Sequence, residues 1–273
     1  MVAGTVVVAA CSNEASDDSA AVEPDGTSSS FVEPEVLPSV DGQLDVVLTA
    51  APATYGGAVD GALAYNATPT GPTLRVRPGD RINVTLRNGL DAPTNLHTHG
   101  LNVSPAGKGD DVFATIAPGA ERLYVYDVPA DHRSGTFWYH PHLHGTVAAQ
   151  VAAGLFGAII VEDEIDDRAD MRAMTERLFL LHDPVGINRN VSPMDGMHGR
   201  AGEIVRVNGE VQPVLTGVPG SLERWRVVNA SSSRPLALSV PDVSMYLIAS
   251  DGGRLADARE MGGLVLVPGE RAE

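Results

Sequence analysis

One pattern is used twice along this 273-residue chain, and it constrains the fold more than any composition does. Pro72, Leu74, Pro78, Gly79 and Asn88 recur at a single constant offset as Pro213, Leu215, Pro219, Gly220 and Asn229, so that GPTLRVRPGDRINVTLRN is echoed by QPVLTGVPGSLERWRVVN. Each copy reads as a strand, a Pro-Gly turn, a second strand and an Asn stop. Pro presets φ for a turn and Gly supplies the positive φ that follows it. In the first copy Ile82, Val84 and Leu86 alternate with Arg81, Asn83, Thr85 and Arg87, the period-two signature of a half-buried strand. Five matches in register without a gap imply duplication of one β-sandwich. Further strands are read at 41–50, 123–128, 136–139 and 155–161, with one short helical stretch at 146–153. The 29 Gly and 19 Pro suit many short strands joined by turns. The expectation is an all-β fold of tandem Greek-key sandwiches, the first over 41–162 and the second over 163–273, meeting in the acidic stretch 162–170. Pro268-Gly269 reads as the counterpart of Pro118-Gly119, so the second sandwich is expected to be incomplete and the chain to be the N-terminal part of a longer protein.

Chemistry is concentrated in two short segments, Asn95-Leu96-His97-Thr98-His99-Gly100 and Trp138-Tyr139-His140-Pro141-His142-Leu143-His144-Gly145. On a strand, residues two apart share a face, so His97 and His99 point one way, as do His140 and His142. If the two strands are neighbours, four imidazoles converge, and imidazole suits copper, zinc, iron and nickel. Pro141 has no N–H to give a ladder, which puts the second pair at a strand end or edge. His144 is either a further ligand or the donor of an orienting hydrogen bond. Asp110 and Asp111 follow the first pair, and a carboxylate beside a metal can relay protons. Trp138 and Tyr139 are expected to pack under the second pair. His132, His182 and His198 stand alone and read as surface or internally satisfied histidines. Met194 and Met197, near His198, offer soft thioethers, but a Gly-containing loop explains them more simply.

The chain carries one cysteine, Cys11, so it forms no internal disulfide. Residues 1–10 are a short apolar run, and Val8-Ala9-Ala10-Cys11 resembles a bacterial lipobox, in which the cysteine is lipidated. The run lacks a basic start, which suggests that the recorded start is internal. Ser, Asp, Glu and Ala dominate the residues that follow, so 1–40 is expected to be a signal remnant and a solvated tether. The implied location is extracytoplasmic, bacterial and lipid-anchored, with the membrane touched through the anchor alone. A net charge of -16 argues against nucleic acid and against an anionic membrane surface as partners.

NLHTHGLNVSP and GTFWYHPHLHG resemble the two N-terminal copper motifs of multicopper oxidases of the laccase-like group. AYNATPTGPTLRVRPGD, VNGEVQP, ERWRVVNASS and ASDGG fit the same family, and the resemblance runs from about residue 41 to the end. It implies cupredoxin domains, three in the family, with a trinuclear copper cluster between the first and the third. Carried over by motif, His97 would bind the type 2 copper, and His99, His140 and His142 the type 3 pair, while GDDVF favours Asp110 as the proton relay. The family assigns two ligands to the second motif, which leaves His144 a supporting role. In such an enzyme a phenol-like or metal-ion donor gives electrons singly to a blue type 1 copper, and the cluster reduces dioxygen to water. The blue site needs a Cys thiolate, which this chain lacks after Cys11. The expectation is therefore half of a trinuclear site, completed by a C-terminal cupredoxin domain, with no turnover by these residues alone. The alternatives are a non-catalytic copper-binding cupredoxin protein or a family member that has lost activity. A copper nitrite reductase would carry a blue-copper Cys in its first domain. A two-domain laccase is disfavoured because the second copy has no His where His97 and His99 would repeat.

Overall fold

A computed structural model describes residues 2–3, 7–10, 29–189 and 199–273. Cys11, Met194, Met197 and His198 lie outside the described residues. Regular structure is nearly all β, with two short helices among the described residues, Val147–Ala153 and Ala169–Ala173. Neither is long and apolar enough to cross a membrane.

The first half is a sandwich of two sheets. One has the order Leu63–Tyr65, Gln43–Pro52, Arg81–Asn88, Glu121–Asp127; the other has Val36–Pro38, Thr73–Val76, Gly157–Val161, Gly135–His140, His97–His99. Alternation decides which side chains meet between them. Ile82, Val84 and Leu86 are fully buried while Arg81 and Arg87 are exposed. They pack with Leu48, Tyr124 and Tyr126 against Leu74, Phe137, Tyr139 and Ile159 of the facing sheet. Each such aliphatic side chain contributes about 1.5–3 kcal/mol relative to exposure.

The repeat is visible in the pairing. Gln43–Pro52 runs parallel to Arg81–Asn88, and Thr175–His182 runs parallel to Glu223–Asn229. Each second strand then pairs antiparallel, with Glu121–Asp127 in one case and Arg271–Ala272 in the other. The Asn stops do the same work twice. Asn88 Nδ2 donates to Ala92 O and Ile116 O, and its Oδ1 accepts from Leu90 N–H; Asn229 Nδ2 donates to Arg234 O and Leu266 O, and its Oδ1 accepts from Ser231 N–H. Gly119 N–H and Gly269 N–H each donate to the backbone carbonyl of their Asn at 2.8 Å, so Pro118-Gly119 and Pro268-Gly269 occupy equivalent turns.

Several local expectations are corrected. Residues 30–40, read as part of a tether, are docked: Val36–Pro38 pairs with Thr73–Val76, Ser30 bridges to Val214, and the Phe31 ring lies 5.2 Å from that of Phe179. Composition gave the wrong answer because a few apolar residues suffice when a sheet edge and a seam are available to receive them. Val7–Ala10 pairs with Leu236–Ser239. Tyr139 does not lie under the second His pair. Next to Trp138 on a strand it must face the other way, into the sandwich, where its hydroxyl donates to Pro72 O at 2.8 Å.

The two halves meet along the other face of the five-stranded sheet. Trp138, Phe156 and Ala158 pack there with Leu178, Leu180 and Val228. Beside this apolar strip lies a buried ionic cluster. Arg224 and Arg226 of the second half reach Asp166 and Glu273, and Arg226 also meets Glu176 and Thr136. The acidic stretch 162–170 is held into both halves, Glu162 by Arg75 and Asp163 by Arg254.

Candidate metal centre

Geometry of the site begins with strand register. His97–His99 pairs antiparallel with Gly135–His140, placing His97 opposite His140 and His99 opposite Trp138. Directly opposed residues project to one face, so His97, His99, Trp138 and His140 share it. Nitrogen atoms of His97, His99 and His140 all lie within 4.8 Å of one another. His142 does not belong to the ladder, because the strand ends at His140 and Pro141 follows. The expected strand pair of His140 and His142 is therefore replaced by one residue on the strand and one just past it. The His142 ring still comes within 4.9 Å of the His97 ring and 6.1 Å of the His140 ring, centroid to centroid. It is exposed, so the cluster is open on that side.

Hydrogen bonds from neighbouring residues orient the rings. Asp110 Oδ2 lies 2.8 Å from His97 Nδ1, and its Oδ1 accepts from Thr98 N–H at 3.0 Å. His140 Nδ1 lies 2.8 Å from Pro141 O, a contact that requires the proton on Nδ1 and leaves Nε2 free. His140 Nε2 in turn is 3.2 Å from His99 Nδ1. Trp138 lies against both, its ring 5.1 Å from that of His99 and 4.1 Å from that of His140. Burial and the nearby Arg271 guanidinium pull the His99 imidazole down to about 4. Burial likewise holds His140 well below its ordinary value. Both rings are thus neutral at pH 7, the form in which imidazole binds metals.

The second half contributes to this wall without a histidine of its own. Arg271 donates from Nε to Thr136 O at 3.2 Å and from Nη1 to Asp251 Oδ1 at 2.8 Å. Its guanidinium occupies the space that a Cβ on Gly100 would fill, 2.3 Å away, and Gly100 has φ +86°, so glycine is required there on two counts. Gly269 packs on His99 in the same way, its Cβ position 3.0 Å from His99 Cε1.

Other sequence candidates separate cleanly. Asp110 contacts the cluster, whereas Asp111 accepts from Phe113 N–H at 3.1 Å within its own loop. His144 is exposed on the turn leading into the helix Val147–Ala153. His132 has both ring nitrogens engaged, Nε2 accepting from Asn102 N–H at 2.9 Å and Nδ1 donating to Arg133 O at 2.7 Å. His182 is buried, with Nε2 donating to Val151 O at 3.1 Å.

Sequence reasoning missed two buried amides. Asn95 Oδ1 accepts from His142 N–H at 2.6 Å, and its Nδ2 donates to Val112 O at 2.8 Å. Gln150 Nε2 donates to Pro93 O and its Oε1 accepts from Thr94 Oγ1. For Gln150 the available signal was a polar residue among the small apolar residues of the helix, whereas Asn95, beside Leu96, falls where strand alternation expects a polar residue and gave none.

Fold and cluster together define a class: tandem cupredoxin-like sandwiches carrying a group of convergent imidazoles. Comparison with known proteins agrees. A family profile described as multicopper oxidase matches residues 48–166. The chain is 35% identical over 224 residues to the multicopper oxidase mco of Staphylococcus haemolyticus, covering 80% of this chain and 49% of that protein. It is 32% identical over 215 residues to the cell division protein FtsP of Proteus mirabilis, covering 76% of this chain and 45% of that one. Among solved structures, a multicopper oxidase from Campylobacter jejuni, described as a metallo-oxidase, superposes with a TM-score of 0.74 at 26% identity, covering 90% of this chain and 53% of the other. The chain belongs to the multicopper oxidase family. It spans about half the length of the curated relatives it matches.

Proposed function

We propose that this chain is part of an oxidase that couples one-electron oxidation of a small donor, a phenol-like molecule or a metal ion, to reduction of dioxygen to water. In this reading His97, His99, His140 and His142 hold type 2 and type 3 copper, and further histidines come from a C-terminal cupredoxin domain. The type 1 copper lies elsewhere in the protein. The observation that carries the reading is the convergence of His97, His99 and His140, their nitrogens within 4.8 Å. The donor set fits copper: imidazoles on paired strands, with His99 and His140 held neutral by burial and with the partners at Nδ1 of His97 and of His140 leaving each Nε2 without a proton. Copper, when bound, supplies the one-electron couple and the place where dioxygen is reduced.

The chain's own residues do the rest. Paired strands fix the rings before any metal arrives. Trp138 and the Gly269 turn exclude water from one side of His99. Asp110, hydrogen-bonded to His97 Nδ1, stands where a relay for a reaction that consumes protons would be placed. An extracytoplasmic location, with a lipid on Cys11, is part of the same proposal and rests on the sequence around that residue.

Purified full-length protein should bind copper and consume dioxygen when given phenolic, cuprous or ferrous donors, and His140→Ala should abolish the uptake and lower the copper content. Dioxygen uptake that survives His140→Ala would refute the reading. The resemblance to FtsP favours a second reading, a family member without oxidase activity. Copper binding without dioxygen uptake for any donor would select it.

A further inference from the structure

We propose that Asn95 is the positioning residue that sets His142 in place relative to His97. The inference rests on the reading that these histidines hold copper. It begins with a difference among the four imidazoles. His97, His99 and His140 take their positions from strand register. His142 has no register, because the ladder ends at His140 and Pro141 can donate nothing to extend it. A residue in that situation is free to swing unless something outside the strand holds it.

What holds it is the Asn95 side chain. Its Oδ1 accepts from the His142 N–H at 2.6 Å. Asn95 is fully buried and sits two residues before His97, so its own backbone is tied to the first pair. The backbone there is further pinned by Thr94, which exchanges backbone hydrogen bonds with Ile116, and by the Gln150 amide on Pro93 O and Thr94 Oγ1. The other end of the Asn95 amide donates to Val112 O at 2.8 Å. Val112 lies two residues past Asp110, whose carboxylate contacts His97 Nδ1. One side chain thus joins the loop that carries His142 to the loop that carries Asp110, with His97 between them.

The chemistry selects Asn. An amide presents an acceptor and a donor on one planar head, and the partners dictate its orientation: an N–H faces Oδ1 and a carbonyl faces Nδ2. Asp keeps the acceptor for His142 but turns a second oxygen toward Val112 O. Leu keeps the volume and offers neither group. The two substitutions therefore separate the His142 contact from the rest of what Asn95 does.

The test uses the full-length protein, loaded with copper and challenged with a competing copper chelator, in wild type, Asn95→Leu, Asn95→Asp, His142→Ala and the Asn95→Leu/His142→Ala double variant. Asn95→Leu should weaken copper retention by about tenfold or more, the range usual when a group orienting a ligand is lost. That loss should largely disappear in the His142→Ala background, because the residue being positioned is gone. Asn95→Asp should retain copper better than His142→Ala. Retention in Asn95→Leu within about twofold of wild type, or a loss that adds in full to that of His142→Ala, would overturn the proposal. If Asn95→Leu does not fold, Asn95→Asp decides: copper loss as large as in His142→Ala overturns it. Wild-type protein that holds no copper releasable by His142→Ala would refute the copper reading itself, a different outcome from any of these.

Discussion

Arg226 offers the sharpest test of how the two halves are joined. Its side chain is completely buried and serves three carboxylates and a hydroxyl: Nε to Glu176 at 2.8 Å, Nη1 to Glu273 at 2.5 Å and to Thr136 Oγ1 at 3.3 Å, and Nη2 to Asp166 at 3.2 Å. Consider Arg226→Met, which keeps an unbranched apolar stem. Arg224 still neutralises Asp166 and one oxygen of Glu273, and Arg75 still meets Glu176. One carboxylate oxygen, Glu273 Oε1, loses its guanidinium and keeps only the Thr136 hydroxyl, in a place where that side chain is 3% exposed. Stranding one partner of a buried ion pair costs about 3–5 kcal/mol, and the surviving arginines put the expectation at the lower end, about 3 kcal/mol. The pH dependence has a definite sign. In the native protein burial alone would raise the Asp166 carboxyl, but the Asp163 N–H and the Arg224 and Arg226 guanidiniums hold it well below the usual range. Its stabilising contribution is therefore complete above the unfolded value, about 3.9, and lost only as pH falls through the lower folded value. Without Arg226 the Asp166 and Glu176 carboxyls, both held low by that guanidinium, titrate higher in the folded state, so acidification toward pH 4 should shrink the penalty. Urea unfolding of both proteins at pH 7 and pH 4.5 measures this. A loss below about 1 kcal/mol at pH 7, or one that grows on acidification, would refute the reasoning.

Four shorter predictions follow from the same structure. Burial pulls His182 from 6.5 to about 4, so the native state disfavours its protonation. Stability from this group is full above pH 6.5 and falls by roughly 3 kcal/mol as pH drops to about 4; His182→Gln, which keeps a donor for Val151 O, should flatten that part of a urea-midpoint profile. Gly157→Ala would place a Cβ 2.3 Å from the Tyr139 ring and hydroxyl, which Pro72 O holds in place, and should cost about 1–3 kcal/mol in thermal unfolding. In the full-length protein, compared at equal copper content, Asp110→Asn should slow dioxygen uptake by about a hundredfold or more, and an unchanged rate would remove Asp110 from the relay. Residues 1–273 produced alone and given copper should show no blue absorbance, since the single cysteine is Cys11.

What the sequence revealed and what it hid divide along a physical line. Turns and alternation are local, so they were legible. Gly79 and Gly220 both take positive φ, at +95° and +77°, where the repeat places them. The shared face of His97 and His99 follows from strand geometry alone. Pro141 announced a strand end, though not that His142 would fall beyond it. Asn95 was hidden because an amide gives no sign in sequence of which distant backbone groups it will satisfy. The ionic cluster was hidden for a different reason. Arg224 and Arg226 alternate with Trp225 and Val227, the pattern of an ordinary strand with a solvated face. Binary patterning cannot distinguish a polar face in water from one buried against complementary charges, and only the docking of the two halves shows that this face is the second kind.

That docking explains why a second half with no histidine in the cluster still bears on it. The strand Gly135–His140 carries Thr136, Trp138 and His140 in succession on the face turned toward the second half. Thr136 is gripped by Arg226 through its hydroxyl and by Arg271 through its carbonyl. Trp138 packs in the apolar seam and lies against the rings of His99 and His140. His140 ends the strand among the other imidazoles. One strand therefore runs from an ionic anchor, through an apolar contact, to the metal-binding end. Its position is fixed at the first two points by residues of the second half, so the spacing of the rings depends on how the halves meet as well as on the register of the His-bearing strands.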